Sequence, residues 1–286
     1  MANSYLNIVT FLLTTLFYYL VFKPVLTYDT FNNANAYKEY ISNNYLYLAI
    51  YLLLVILVQF LVNASIISST CGGSITENMG AAGVFTFIPW ILIFGVLIVI
   101  ITIYPGFKSA FSDVIGYFWV SSSANKIITE LLIDRNIEKK IKSDKEMTPE
   151  EKENMESAAD AIIKICGNTA VLINQIVPSN FNDYWKILTP LMKDRYKVNG
   201  GDTEETKNIK NELFELVVTR DNIGESMWYI YTGLLLTSLV QLKITTRGCI
   251  KNPKTMEQNY KKFQETQEKA RAKKELSTST TYTVTA

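Results

Sequence analysis

Three runs without a single Asp, Glu, Lys or Arg fill most of the first third of this chain: 1–22, 41–76 and 78–107. Wound as a helix, about 20 apolar residues match the roughly 30 Å hydrocarbon core of a bilayer. Lipid offers the backbone no hydrogen-bond partner, so a crossing segment is either a helix or a strand of a closed barrel. The period-2 alternation of a barrel strand is absent. The pattern therefore predicts membrane helices at about 5–22, 45–67 and 84–104, the first closed by Lys23-Pro24 and the third by Pro105-Gly106. A shorter apolar run, 227–242, predicts a fourth. Counted as 224–246 it reaches bilayer thickness if Glu225 and Lys243 stretch into the headgroups; the alternative is a helix lying in the interface.

The chain divides accordingly into a three-helix membrane region at 1–106, a helical extramembrane domain at 107–222, a fourth membrane helix at 223–248 and a charged helical tail with a frayed end at 249–286. The expected fold class is all-α: a polytopic helical membrane protein of about four spans, with a soluble helical domain between the third and the fourth. The linker 24–44, with Asn32-Asn33 and Asn43-Asn44, is expected to be a polar loop. Gly72-Gly73 marks a tight turn requiring positive φ. Pro89 reads as a first-turn proline beside an interfacial Trp90.

In the extramembrane part, Thr148-Pro149-Glu150-Glu151 reads as a helix start, with Thr148 capping, Pro149 at the first helical position and Glu151 closing a capping box. Ala158, Ile162, Ile165 and Cys166 follow on one face, which makes Cys166 a packed core thiol. Asp202-Thr203-Glu204-Glu205, after the Asn199-Gly200-Gly201 turn, is a second start, and its helix is expected to bury Leu213, Leu216 and Val217. The tail at 251–276 is rich in Lys, Gln and Glu and reads as a solvated helix. Glu265, Glu268 and Glu275 dilute Lys269, Arg271, Lys273 and Lys274, so a basic lipid-binding patch is the lesser reading.

Composition narrows the chemistry. The net charge is +1 over 286 residues, which gives no electrostatic footprint for nucleic acid. Of 28 Lys and Arg, only Lys23 and Lys38 precede Lys108. Histidine is absent, removing the commonest general base, proton relay and metal ligand. The three cysteines, Cys71, Cys166 and Cys249, form no C-x-x-C. Carboxylate pairs such as Glu150-Glu151 and Glu204-Glu205 sit at helix starts, where they stabilise the helix dipole. No phosphate-loop, dinucleotide or nucleophile-elbow pattern occurs. The expectation is a protein that is not an enzyme, without cofactor or metal. The first apolar run has no basic flank before it and no cleavage-type site after it, so it is expected to stay in place; Ala2 excludes myristoylation.

Polar residues inside the runs are few. Gln59 and Asn63 lie four apart on one helical face and are expected to bond to a neighbouring helix, a polar pore lining being the alternative. Trp90, Trp228 and Tyr229 are candidate membrane-interface anchors. Spans free of charge argue against a pump, carrier or voltage sensor. Four spans place both termini and the Cys71 loop on one face, and the 24–44 linker and helical domain on the other. Cys71 and Cys249 then lie on the same side, each just outside a span; they are either joined as a disulfide or are two unrelated thiols. Basic residues near the membrane at Lys243, Arg247, Lys251 and Lys254 lean towards a cytosolic tail.

Cys71-Gly72-Gly73, Pro89-Trp90, Pro105-Gly106-Phe107-Lys108, Phe111, Gly116-Tyr117, Trp228, and Cys249 with Asn259-Tyr260 downstream together give a pattern. It resembles that of multi-pass inner-membrane and minor capsid proteins of icosahedral nucleocytoplasmic large DNA viruses. The resemblance implies a structural protein in the viral inner membrane beneath the capsid shell. Its partners would be the lipid bilayer and capsid proteins, with self-association left open, and it would have no catalytic residues. The alternative is a channel, a carrier or a fusion-related membrane protein.

Overall fold

The computed structural model describes residues 5–132, 168–196, 203–246, 249 and 253–278. Among them every regular element is helical, apart from a lone antiparallel bridge between Leu132 and Met192. We number the main helices α1 (Leu6–Phe22, its last turn π-helical), α2 (Tyr28–Asn32), α3 (Ala34–Cys71), α4 (Ile75–Ile103), α5 (Tyr117–Leu131), α6 (Thr169–Gln175), α7 (Phe181–Leu188), α8 (Glu204–Thr246) and α9 (Pro253–Thr278).

Helices α1, α3, α4 and the second half of α8 pack as a bundle. Its interior is aromatic, built on Phe11, Tyr18, Tyr51, Trp90, Phe94 and Tyr229. A smaller cluster of Ala64, Ile66, Ile67, Ala82, Val240 and Ile244 closes the end near Cys71. The outside of the bundle is apolar too: Leu13, Leu20, Leu53, Leu61, Leu92, Val99, Leu235 and Leu239 all face outward. Helices α3 and α4 are each long and apolar enough to cross a membrane, and only 28% of the most apolar window of each is buried within the protein. A helix apolar all round but so little covered by its own protein presents its remaining surface to another apolar medium.

The second layer is a helical head. Val120, Ile127 and Leu131 of α5, Leu172 and Ile173 of α6, Phe181 and Trp185 of α7, and Leu213, Phe214 and Val217 of α8 form one core. Thus Leu213 and Val217 are buried as their spacing suggested, with Leu216 partly covered. Thr203 starts α8 by accepting from the backbone N–H of Thr206. The 148–166 capping and packing expectations, Cys166 included, lie outside the described residues.

Four expectations are corrected. The 24–44 linker is largely helical. Thr27 caps α2 by accepting from Thr30 N–H, and Asn33 caps α3 by accepting from Asn35 and Ala36 N–H. Tyr28 and Phe31 then pack on Phe214 at ring-centroid distances of 5.5 and 5.2 Å, so the linker belongs to the head. The boundary drawn at 222/223 does not exist, because α8 is one unbroken helix of 43 residues shared by head and bundle. Pro89 is mid-helix in α4; lacking an N–H, it is followed by a π-helical turn, Trp90–Gly95, in place of a helix start. Finally, Ser277 and Thr278 still belong to α9.

Turn and contact geometry explain the glycines. Gly72 and Gly73 have φ of 73° and 84°, and Ser74 with Glu77 then forms a capping box that starts α4. At Gly224, α8 lies so close to the chain at Ser112 that an added Cβ would meet the Ser112 Cβ at 2.6 Å and its backbone nitrogen at 2.8 Å. A backbone contact cannot rotate away. Gly224→Val is therefore expected to cost roughly 1–3 kcal/mol or more from overpacking, read as a lower unfolding midpoint of the detergent-solubilised protein. Gly80→Ala, with open space around it, serves as the neutral comparison.

Candidate functional site at the junction of bundle and head

The charged residues that flank the apolar runs converge. Lys23 follows α1, Lys108 follows α4, and Asp221 and Glu225 lie one turn apart where α8 passes from head to bundle. Lys23 pairs with Glu225, and Lys108 lies 2.6 Å from Asp221 and 3.5 Å from the second Glu225 oxygen. The Tyr19 hydroxyl donates to Glu225 at 3.2 Å, and the Lys23 ammonium lies 4.9 Å from the Tyr19 ring centroid. Side-chain exposure is only 5% for Lys23, 11% for Glu225, 13% for Lys108 and 15% for Asp221. Burial alone would lower the Lys108 pKa; Asp221 and Glu225 outweigh it and raise it above the ordinary lysine value. Its contribution to stability is thus complete below the ordinary lysine pKa and is lost only as pH climbs through the raised one.

Glu225 does not stretch out to the headgroups. It turns inward because two ammonium groups and a phenol already wait there, and a buried carboxylate with three partners outcompetes a hydrated one only in such company. Beside the cluster lies a cavity of about 440 Å³ between head and bundle. Its charged wall is Lys23, Lys108, Asp221 and Glu225, and its floor includes Leu48 and Ile101.

Arg220, one residue before Asp221, is fully buried. Its guanidinium donates to the carbonyls of Ile173 and, at 3.0 Å, Ile176. Both carbonyls lie at the C-terminal end of α6, where a cation is favoured; the Ile173 carbonyl also accepts the backbone N–H of Ile176 at 3.3 Å. Burial lowers the Arg220 pKa and nearby Asp113 and Asp221 oppose that shift. The residue fastens α6, and with it the head, to α8.

Gln59 and Asn63 sit deep in the bundle, 1% and 0% exposed. Gln59 donates to the Asn7 carbonyl at 3.1 Å and to Thr10 at 3.3 Å. Asn63 accepts from the Asn7 side chain at 2.9 Å and donates to Thr86 at 2.8 Å. The Asn7 amide also reaches Gln241 at 3.2 Å. One polar network thus joins α1, α3, α4 and α8. The contribution of Asn7 was missed in the sequence because it lies in the first turn of its helix, among polar residues that read as a terminus.

Two of the three expected interface anchors are corrected. Trp90 and Tyr229 are fully buried, packed with Phe94 at centroid distances of 5.2 and 5.8 Å. Their large rings bury more apolar area in the aromatic core of the bundle than they would at its surface. Trp228 differs: its indole donates to the Phe107 carbonyl at 3.0 Å, and its ring packs on Phe107 and Phe111 at the surface where α4 ends.

At the opposite end of the bundle Cys71 and Cys249 form a disulfide, with Cα atoms 5.1 Å apart. It joins the end of α3 to the residues just beyond α8. Such a bond belongs in an oxidising environment, against the lean of the basic tail residues towards the cytosol. Cys71→Ser is expected to cost about 2–4 kcal/mol. Non-reducing peptide mass spectrometry should find the linked peptides in the parent and not in the variant. The chain matches no protein-family model, no curated protein and no solved structure.

Proposed function

We propose that this protein is a non-catalytic membrane anchor: a four-span helical bundle that holds a helical head rigidly at the surface of a bilayer. In the setting that the sequence resemblance implies, it links a viral inner membrane to the capsid shell. The observation that carries the reading is α8. Its first half supplies Leu213, Phe214 and Val217 to the head core, and its second half supplies Tyr229 and Leu236 to the bundle core, without interruption. A load applied to the head is therefore transmitted along one helix into the bundle. The buried ion cluster and the disulfide fasten that helix at its middle and near its far end. Lipid would cover the outward-facing leucines, and the charged, exposed α9 would supply directional contacts to protein.

A channel would need Gln59 and Asn63 to line water. Both side chains are instead engaged with neighbouring helices, which favours the anchor. The test has two arms. Alkaline extraction of membranes should leave the chain in the pellet, and detergent stripping of purified particles should leave it with capsid in stoichiometric amount. Release by alkali, loss with the lipid, or ion flux in liposomes that vanishes in Gln59→Leu would each overturn the reading.

A further inference from the structure

We propose that the cavity between head and bundle is a binding site for a zwitterion carrying a phosphate and a primary ammonium, such as the phosphoethanolamine headgroup of a bilayer lipid. The inference rests on the membrane-anchor reading for the source of its ligand, though not for the chemistry of the site. The cavity, of about 440 Å³, falls within the range of small-molecule sites, roughly 300–1,000 Å³. Its charged wall holds two ammonium groups, Lys23 and Lys108, and two carboxylates, Asp221 and Glu225, paired with one another. The wall is therefore neutral overall and strongly dipolar. A purely anionic ligand would leave an excess negative charge in a poorly hydrated place. A zwitterion adds no net charge: its phosphate faces the lysines and its ammonium faces the carboxylates.

Two further features select the ammonium. The side-chain oxygen of Asn44, on the cavity wall, is buried and accepts no hydrogen bond from any described residue. It calls for a donor, which a primary ammonium supplies and a quaternary one does not. Tyr37 and Tyr40, also on the wall, lie with rings nearly parallel at 6.2 Å; aromatic rings favour a cation, primary or quaternary, so the choice between the two rests on Asn44. The floor at Leu48 and Ile101 belongs to the helices that carry the apolar exterior, so acyl chains could leave along α3 and α4.

The experiment uses the full chain, purified in detergent and depleted of lipid. Unfolding midpoints are followed as short-chain phosphatidylethanolamine, phosphatidylcholine or phosphatidylglycerol is added, or free glycerophosphoethanolamine, a phosphodiester that carries no net charge. The ethanolamine lipid should raise the midpoint by several degrees at concentrations where the other two lipids leave it unchanged. Asn44→Leu, each variant being compared with its own lipid-free midpoint, should weaken the apparent affinity roughly tenfold through loss of one charge-assisted hydrogen bond. Tyr40→Leu should weaken it in the same direction. A response to the ethanolamine lipid alone assigns the site to the bilayer, and an equal response to free glycerophosphoethanolamine assigns it to a soluble ligand of the same chemistry. Equal shifts with all three lipids, no shift with either ethanolamine compound, or a full response in Asn44→Leu would overturn the proposal. Alkaline extraction reports separately on the anchor: a chain released by alkali that still responds to glycerophosphoethanolamine would sink the anchor and keep the site.

Discussion

Glu225→Leu is expected to lower the stability of the detergent-solubilised protein by roughly 3–5 kcal/mol, the cost of leaving a buried charge without its partner. The stranded charge is Lys23. Lys108 keeps Asp221 at 2.6 Å when Glu225 is removed, whereas the ion pair of Lys23 is with Glu225. The Tyr19 ring alone, 4.9 Å away, is a weak substitute. The double variant Lys23→Met/Glu225→Met should therefore recover most of the loss, because two apolar side chains of similar length replace a buried pair at little cost. Thermal or denaturant unfolding of the parent, the two singles and the double gives the coupling directly. A Glu225→Leu protein as stable as the parent would mean that the cluster is hydrated and the junction is not held by it.

Arg220→Met is expected to be almost as costly, about 3 kcal/mol or more. It removes two charge-assisted hydrogen bonds and takes the guanidinium donor from the Ile176 carbonyl, while the Ile173 carbonyl keeps only the backbone N–H of Ile176. The effect should be local to the head. Hydrogen exchange in α6 and α7 should rise steeply while exchange in the bundle half of α8 stays slow, since the bundle core at Tyr229 and Leu236 does not depend on Arg220. Arg220→Lys should rescue little: one ammonium cannot reach two divergent carbonyls as a planar fork does. Uniform loosening of head and bundle would contradict the assignment of Arg220 as the fastening of α6.

Much of the architecture was written in local chemistry. The charge-free runs announced α3 and α4 as helices long and apolar enough to cross a membrane. Gln59 and Asn63 declared a helix contact by sharing a face in a run where a lone amide would be costly. Even the ion cluster was within reach: the expected four-span arrangement would place the end of the first, the end of the third and the start of the fourth apolar helix on one face, and Lys23, Lys108 and Glu225 do meet. What hid it was the expectation that Glu225 stretches out to the headgroups.

Sequence alone determined the helical class, the apolar segments and the residues able to pair across them, because those depend on neighbours three or four positions away and on solvation of single side chains. Tertiary structure alone decided that Trp90 and Tyr229 fill the bundle while Trp228 stays at its surface, that 24–44 docks on Phe214, that α8 runs unbroken from head to bundle, and which carboxylate meets which lysine. Each of these turns on the register of helices far apart in the chain, set by contacts such as Ser112 against Gly224. A helix's own periodicity says which side is apolar and leaves open what will cover it.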